Sequence, residues 1–227
     1  MYNFKQFILE LHLVFGKIEY LNLLPFHVFM KLFTKSSQQS MSMHYKRGVP
    51  AKINAKFLSR RVDAAFISSI HAKKHKYVNL GIIAKKEVLS VIVVPNVESE
   101  LDTESASSNV LAQILDIKGK VLIGDKALKH YLDNKPHIDL ASEWNKRYKL
   151  PFVFALLCYH KDQQLYKNIE KLFSKQRVKI PQYLLSEASK RTKITKKDIL
   201  NYLSYISYDL DSKSKKGLSL FYKSVKS

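Results

Sequence analysis

The sequence predicts an α/β protein of two lobes, joined by two crossing strands and followed by C-terminal helices. Three observations support this prediction. Apolar runs of strand length alternate with helical patterns from about residue 14 to residue 94. A shorter alternation follows between residues 107 and 159, and its last apolar run leads back to the first lobe. The pattern from Gln163 to the C-terminus is helical. Such an architecture places a ligand cleft between the lobes.

The first lobe is predicted to contain strands and helices in alternation. Its strands are expected at Val14–Tyr20, Ser42–Lys46, Val62–Ile67, Val78–Ala84 and Val88–Val94. Helices are predicted over His27–Phe33 and Ala51–Arg60. Because strands and helices alternate, we expect a largely parallel sheet covered by helices. The last strand, Val88–Val94, is expected to cross to the second lobe.

A polar, acidic segment after Val94 separates the second lobe from the first. Helices and strands are then predicted at Ser107–Leu115, Lys120–Gly124, Asp125–Leu132, Ile138–Leu140, Ser142–Tyr148 and Pro151–Tyr159. The helical C-terminal segment has predicted breaks at Pro181 and Gly217. We therefore expect residues 1–92 and 160–227 to form the first lobe with its C-terminal helices. Residues 93–159 are expected to form the smaller second lobe.

The composition is that of a globular protein with a strong positive charge. The 227 residues are 46% hydrophobic and 26% charged, and the formal net charge is +20. The lysines are spread along the chain, with one dense run at residues 190–197. Neither zinc-finger spacing nor interleaved basic and aromatic residues are present. We therefore interpret the charge as a solvated surface and expect no nucleic-acid partner.

The N-terminus and the cysteine count indicate the compartment. Glu10 and His12 interrupt the apolar run of residues 5–15, and no small-residue cleavage site follows, so we expect no signal peptide. No stretch of about 20 apolar residues is present to span a membrane. Cys158 is the only cysteine, which excludes an internal disulfide and agrees with a reducing compartment. We expect a cytoplasmic protein with no membrane association, and the oligomeric state stays open.

Several common catalytic motifs are absent from the sequence. It contains no H-E-x-x-H pair, Walker loop, G-x-G-x-x-G turn or nucleophile elbow. A metal site built from several thiolates is excluded by the single cysteine. The chemistry must therefore come from another kind of site.

Six short segments stand out in order along the chain. They are Tyr20-Leu21-Asn22-Leu23-Leu24-Pro25, Val62–Ser69 (V-D-A-A-F-I-S-S), Glu87–Ile92 (E-V-L-S-V-I), Ser105–Leu111 (S-A-S-S-N-V-L), Ile123–Leu128 (I-G-D-K-A-L) and Leu150–Ala155 (L-P-F-V-F-A). In this order they resemble the chorismate dehydratase family, which opens the futalosine route to menaquinone, and the resemblance covers the chain from about Phe15 to His160. The fourth segment is similar to the family's S-x-T-S-x-x-L pattern, with Ser107 in the Thr position.

The resemblance implies a type II periplasmic-binding-protein-like fold. It also implies a carbon–oxygen lyase that removes water from chorismate to give 3-[(1-carboxyvinyl)oxy]benzoate, without a metal ion or an organic cofactor. An alternative with the same fold is a solute-binding protein for a small carboxylate, which would need export.

The chain departs from the family in two places. Only Asp116–Val121 separates the S-x-T-S helix from the I-G-D segment, where the family has a further strand, loop and helix. The second lobe is therefore expected to be small, with fewer substrate contacts. Residues 1–13 precede the usual first strand, as an extension or a misassigned start.

The resemblance places Asn22 and Ser90 in the active site. Asn22 follows the first strand, where its amide can both donate to and accept from a polar ligand. The structural alternative is an Asx turn that shapes the loop. Ser90 lies in an apolar strand, where an unpaired hydroxyl would cost about 1–3 kcal/mol, so it needs a ligand or a backbone carbonyl as its partner.

Serines in two further loops are expected to bind the substrate carboxylates. Ser68 and Ser69 follow a buried strand, whereas Ser105, Ser107 and Ser108 stand where a helix begins. One of the latter is expected to cap that helix. The free N–H groups of the helix start also attract a carboxylate.

The identity of the general base stays open. Asn22 and the serines are neutral, and none of them is a strong base at neutral pH. The candidates are the enolpyruvyl carboxylate of the substrate itself and His27 or His71. Asp125 is expected to cap the helix that follows Gly124.

Overall fold

The structure is a computed structural model that describes residues 13–36, 43–95, 98 and 100–225. The N-terminal extension therefore lies outside the described residues, except for Leu13. Ser42, the predicted start of the second strand, lies outside them too. Within the described part, no helix is long and apolar enough to cross a membrane.

Strands and helices occur close to the positions that the alternating pattern predicts. The strands of the described residues are β1 (Leu13–Lys17), β2 (Met43–Arg47), β3 (Ala64–Ser68), β4 (Lys76–Ala84), β5 (Val91–Val94), β6 (Lys120–Ile123), β7 (Ile138–Asp139), β8 (Phe152–Tyr159) and β9 (Ile206–Asp209). The helices of the same part are α1 (Leu24–Ser36), α2 (Pro50–Leu58), α3 (Ser69–Ala72), α4 (Ala106–Leu115), α5 (Gly124–Leu132), α6 (Leu140–Tyr148), α7 (Gln163–Lys175), α8 (Gln182–Thr192), α9 (Lys196–Leu203) and α10 (Ser212–Ser224). A short 3-10 helix, Leu21–Leu23, precedes α1.

The strands form two sheets, one in each half of the molecule. The larger sheet has the order β2-β1-β3-β8-β4-β9, and the smaller has the order β6-β5-β7. Among the strands of the described residues, the only parallel pairs are those of β1 with β2 and of β1 with β3. The expectation of a largely parallel sheet is therefore wrong. β8 returns from the second lobe in the opposite direction and inserts between β3 and β4, so it pairs antiparallel with both.

The chain passes between the sheets at residues 85–90 and again at residues 149–151. β5 starts at Val91 rather than Val88, because Leu89 has a left-handed backbone with a φ of 61° that no regular strand contains. β8 belongs to the larger sheet. The lobe boundaries at residues 92/93 and 159/160 stay a prediction.

The C-terminal segment differs from the prediction in two places. β9 interrupts the predicted helices and pairs antiparallel with β4 at the edge of the sheet. Four residues are too few for periodicity to separate a strand from a helix. Gly217 does not break α10 but lies buried within it, because the helix packs directly against Pro151.

Aromatic side chains fill the core and connect its parts. Phe26 of α1 meets Phe66 of β3 edge to face, with ring centroids 4.9 Å apart. Trp144 of α6 packs in the same way against Phe152 of β8 at 5.2 Å, and Phe152 against Phe221 of α10 at 5.0 Å. The second lobe is thereby anchored to the returning strand and to the last helix.

We expect Gly217→Ala to destabilise the protein, although alanine is the better helix former by about 1 kcal/mol. A Cβ at this position would lie 2.1 Å from the carbonyl oxygen of Pro151, a backbone atom that cannot rotate away. The free energy of unfolding should fall by about 1–3 kcal/mol in urea denaturation. Ser219→Ala, at an exposed position of the same helix, is the matched control and should change it by less than about 0.5 kcal/mol. Equal stability of the two variants would contradict the close packing of α10 on Pro151.

Candidate active site

A cavity of about 70 Å³ lies between the two sheets. Its polar lining comes from the loops after β1 and β3, from the residue before β5 and from the start of α4, and consists of Tyr20, Asn22, Ser68, Ser90, Ser105 and Ser108. Its apolar lining includes Phe66, Ile82, Val91, Ile123 and Phe154. No Asp, Glu, His, Lys or Arg lines the cavity within the part of the chain that the structure describes.

The cavity is small for a ligand-binding site. Pockets that enclose drug-sized ligands usually have volumes of about 300–1,000 Å³. The volume here is about 70 Å³, so the cavity is too small to enclose a ligand of that size as it stands. Binding would need a wider cavity.

Asn22 contributes an unpaired acceptor to the cavity. It lies in the 3-10 helix, and its side-chain Oδ1 is buried without a hydrogen-bond partner in the described part of the chain. An Asx turn would use this oxygen, so that structural alternative is wrong. The Tyr208 hydroxyl donates to the backbone carbonyl of Asn22 at 2.7 Å and fixes the position of the loop. The loop that carries Asn22 is therefore held in place, and its side-chain oxygen has no protein partner among the described residues.

Ser68 ends β3 and is fixed by Asn54 of α2. The Asn54 Nδ2 donates to the Ser68 Oγ at 2.8 Å, and the Ser68 N–H donates to the Asn54 Oδ1 at 3.2 Å. Both residues are buried. Because the hydroxyl oxygen accepts a hydrogen bond from Asn54, the hydroxyl can donate its own proton to another acceptor.

Ser90 is buried directly before β5. Its Oγ accepts a hydrogen bond of 2.8 Å from the hydroxyl of Tyr202 on α9. The partner is therefore a tyrosine hydroxyl and not the backbone carbonyl that the sequence offers as the alternative. As at Ser68, the serine proton is left for another acceptor.

Ser105 and Ser108 are bonded to each other at the start of α4. The Ser105 Oγ accepts a hydrogen bond from the Ser108 N–H at 3.3 Å and caps the helix. The prediction that a serine caps α4 is therefore confirmed. The Ser105 hydroxyl donates to the Ser108 Oγ at 2.7 Å. The Ser108 hydroxyl can then donate its own proton to another acceptor.

Ser69 and Ser107 lie outside the cavity lining. Their Oγ atoms are 3.0 Å apart, and the Ser107 Oγ also accepts from the Ile70 N–H at 3.1 Å. These contacts join α3 to α4, one in each lobe. A role of these two serines in binding substrate stays a prediction.

The cavity therefore combines donors with one unpaired acceptor. Ser68, Ser90 and Ser108 each accept a hydrogen bond from the protein, so each can donate its own proton to a ligand. Asn22 offers an amide oxygen without a partner. Carboxylate oxygens suit the donors, and a ligand hydroxyl suits the amide oxygen.

Tyr20 closes one end of the cavity. Its hydroxyl donates to the carboxylate of Glu104, and Lys126 pairs with Asp102 at 2.7 Å and with Glu104 at 3.5 Å. The ring lies against Gly124, where a Cβ would be 2.6 Å from a ring carbon. Burial and the neighbouring Glu104 raise the pKa of Tyr20, so its hydroxyl stays protonated and keeps donating. Only a glycine at position 124 allows this closure.

Asp125 forms a second contact across the cleft. The prediction that it caps α5 is wrong, because Ile123 is the capping residue and makes no side-chain bond. The Asp125 Oδ1 instead accepts from the Leu21 N–H at 3.0 Å, and its Oδ2 pairs with Arg191 of α8 at 2.9 Å. Burial raises the pKa of Asp125, and these two partners oppose that rise. The carboxylate therefore ties the second lobe to the loop that carries Asn22. Its partners are too distant in the chain for a sequence pattern to reveal.

Neither candidate histidine lines the cavity. His27 borders a separate open groove of about 470 Å³, and its Nε2 contacts the Ile18 carbonyl at 2.8 Å. Burial lowers the pKa of His27 to about 4, so the ring is neutral at pH 7. His71 lies in α3, outside the lining. The cavity itself offers no histidine.

Comparisons with known proteins agree on fold and family. A family described as menaquinone biosynthesis matches residues 13–119 and 115–227. The chorismate dehydratase of Campylobacter jejuni is 44% identical over 218 residues, which are 94% of this chain and 98% of that protein.

Protein AF1704 of Archaeoglobus fulgidus superposes with a TM-score of 0.70 at 11% identity, covering 95% of this chain and 97% of that one. The CA3427 gene product of Candida albicans, described as having the generic periplasmic binding protein fold, gives a TM-score of 0.52 at 12% identity over 93% and 90% of the two chains. The predicted periplasmic-binding-protein-like fold is thereby confirmed.

Asp125→Ala and Asp125→Asn separate the two contacts of this carboxylate. Alanine leaves the Leu21 N–H without a partner, whereas asparagine can keep that hydrogen bond and loses only the ion pair. The Arg191 side chain is 45% exposed, so we expect the ion pair to contribute less than about 1 kcal/mol. In urea unfolding, the alanine variant should lose about 1–3 kcal/mol and the asparagine variant less than about 1 kcal/mol. Equal losses would contradict the contact with Leu21.

Proposed function

This chain belongs to the menaquinone biosynthesis family, and on that premise we propose that it is a chorismate dehydratase. It removes water from chorismate to give 3-[(1-carboxyvinyl)oxy]benzoate and is thus a carbon–oxygen lyase. The identity of 44% to the Campylobacter jejuni enzyme extends over nearly the full length of both chains, which supports an enzyme of the same size and kind.

The polarity of the cavity is the observation that supports this reaction best. Chorismate has two carboxylates and a free hydroxyl on a ring that is not yet aromatic. Ser68, Ser90 and Ser108 can donate hydrogen bonds to carboxylate oxygens, and the unpaired Oδ1 of Asn22 can accept a hydrogen bond from the substrate hydroxyl. Two phenylalanines of the lining offer apolar surface to the ring.

The reaction needs orientation more than chemical activation. Loss of water makes the ring aromatic, so the overall driving force is large. Removal of the C3 proton sends negative charge through the diene to the ring carboxylate, where the serine donors stabilise it as it develops. The C4 hydroxyl leaves, and together with the C3 proton it forms the released water. A closed cleft that holds the reacting groups in place supplies most of the acceleration.

The base in this proposal is the enolpyruvyl carboxylate of the substrate. The lining of the cavity has no His, Lys, Asp or Glu among the described residues, and burial raises the pKa of Tyr20. The enolpyruvyl group is attached at C3, so its carboxylate can fold back onto the C3 proton when Asn22 and Ser90 hold it there. His27 and His71, the alternatives, lie outside the lining.

Incubation of the purified protein with chorismate tests the proposal. We expect an aromatic product that absorbs in the ultraviolet and has lost one water by mass spectrometry. Dialysis against a chelator should not change the rate, because the proposed mechanism uses no metal ion. Tight binding of chorismate without turnover would instead favour a solute-binding protein.

Asn22→Ala is expected to reduce kcat by about 100-fold, because a misplaced substrate loses much of its reactivity. The free energy of unfolding should change by less than about 1 kcal/mol, since the amide oxygen has no partner in the described part of the chain. Asn201→Ala, at an exposed position of α9, is the control and should leave kcat unchanged. Full turnover by a folded Asn22→Ala protein would remove Asn22 from the active site.

Ser107→Ala and Ser108→Ala should differ, although the two serines are adjacent. Ser108 lines the cavity, so its loss should raise KM about three- to tenfold if the carboxylate is held equally in ground and transition states. Ser107 joins α3 to α4, so its loss should lower the free energy of unfolding by about 1–3 kcal/mol with a smaller effect on KM. Steady-state kinetics and urea unfolding of both variants measure this difference. The opposite assignment of effects would place the carboxylate at Ser107.

A further inference from the structure

Both oxygen atoms of Ser90 accept a hydrogen bond from another part of the protein. Its backbone carbonyl accepts a hydrogen bond from the Gly124 N–H at 2.8 Å. Its hydroxyl accepts one from Tyr202 at 2.8 Å, and the serine is only 1% exposed. The carbonyl contact extends the antiparallel pairing of β5 with β6, whereas the hydroxyl contact comes from a distant helix.

The residue before Ser90 has an unusual backbone conformation. Leu89 has a φ of 61°, in the left-handed region that residues with a side chain rarely adopt. One carboxylate oxygen of Asp139 accepts hydrogen bonds from the N–H groups of Val88 and Leu89, at 3.0 and 2.7 Å. These bonds stabilise the turn. Strain of this kind persists only where the surroundings enforce it, and it is concentrated at functional sites. Here it places Ser90 against the cavity at the point where the chain crosses between the lobes.

Tyr202 reaches Ser90 from a distant part of the chain. It lies on α9, is 112 residues from Ser90 and is 2% exposed. A phenol is more acidic than an alkyl hydroxyl and is the better donor of the two. Burial raises the pKa of Tyr202, so the phenol keeps its proton at any working pH. Tyr202 does not line the cavity, so it can act on a ligand only through Ser90.

We propose that Tyr202 is a positioning residue, which orients the Ser90 hydroxyl so that it donates its proton to a carboxylate oxygen of the bound substrate. This inference rests on the proposed function. A serine oxygen has one proton and two lone pairs, and the Tyr202 proton occupies a lone pair. The serine proton is then directed away from Tyr202, toward the cavity. Without the phenol, the serine hydroxyl is free to rotate and to donate to a protein acceptor instead.

The consequence for catalysis depends on when the donor is needed. In the proposed mechanism Ser90 holds the enolpyruvyl carboxylate against C3, so a correctly oriented donor places this base for removal of the C3 proton. A misplaced base slows the chemical step. Loss of the orientation should therefore appear mainly in kcat. A purely structural role of Tyr202 would instead appear as lower stability with unchanged kinetics.

Four proteins test this inference: the wild type, Tyr202→Phe, Ser90→Ala and the double variant. Phenylalanine keeps the ring and removes only the donor. We expect Tyr202→Phe to lower kcat about five- to tenfold with a smaller change in KM. The same substitution in the Ser90→Ala background should have almost no further effect on kcat, because Tyr202 then has no hydroxyl to orient. Tyr166→Phe, which removes another buried tyrosine hydroxyl outside the cavity lining, is the control and should keep the wild-type kcat.

Two kinetic results would overturn the inference. One is an unchanged kcat in folded Tyr202→Phe, and the other is an equal loss of kcat from Tyr202→Phe with and without Ser90. Urea unfolding of the same four proteins gives a readout that does not depend on turnover. If the wild type fails to aromatise chorismate, the proposed function fails, whereas a coupling between Tyr202 and Ser90 in the unfolding cycle would still support the oriented pair. If the two substitutions have additive effects on the free energy of unfolding, Tyr202 does not orient Ser90, and the inference fails even in an active enzyme.

Discussion

The insertion of β8 between β3 and β4 is the constraint on which the rest of the structure depends. Its register sets Ala155 opposite Ser68 on one side and Phe152 opposite Ala84 on the other. The strand is bonded along both edges and nearly all of its side chains are buried. A slip by one residue would turn every side chain to the opposite face and disrupt both ladders at once. The chain can therefore leave the larger sheet, build the smaller one and return in only one register.

This register also determines where the cavity lies. Phe154 and Ala155 of β8 line the cavity together with Ser68, the residue that ends the neighbouring strand. The outgoing crossing delivers Ser90 from the other side, and the contacts of Tyr20 and Asp125 hold the second lobe against the first. Water is then largely excluded from the serine hydroxyls. Hydrogen bonds from fixed donors are stronger in such a site than in water, because the local dielectric constant is lower.

The sequence was sufficient for the outline of the fold and for much of the cavity lining, because both depend on short segments. The motif around Asn22 and the serine motif at Ser105 and Ser108 are local, and these residues do line one cavity. Their roles in binding and catalysis stay predictions. What the sequence could not reveal are the partners: Tyr202 lies 112 residues from Ser90, and no periodicity connects them. The antiparallel direction of β8 was missed for the same reason, since alternation of strands and helices does not specify where a returning strand inserts.

The distribution of charge clarifies how a protein with a net charge of +20 can use a neutral site. The outer groove, which shares only Tyr20 with the cavity, is bordered by Lys17, Lys31, Arg47 and Arg191. Glu19 pairs with Lys17 and Arg47, and Asp125 pairs with Arg191, so these contacts offset much of the local positive charge. The field that can attract an anion is therefore that of the protein as a whole. A lysine inside the cavity would lose its hydration there, which costs several kcal/mol unless an anion already pairs with it. Neutral hydroxyl groups can be buried once each has a hydrogen-bond partner, so the empty cavity can contain donors for a carboxylate without containing a buried charge.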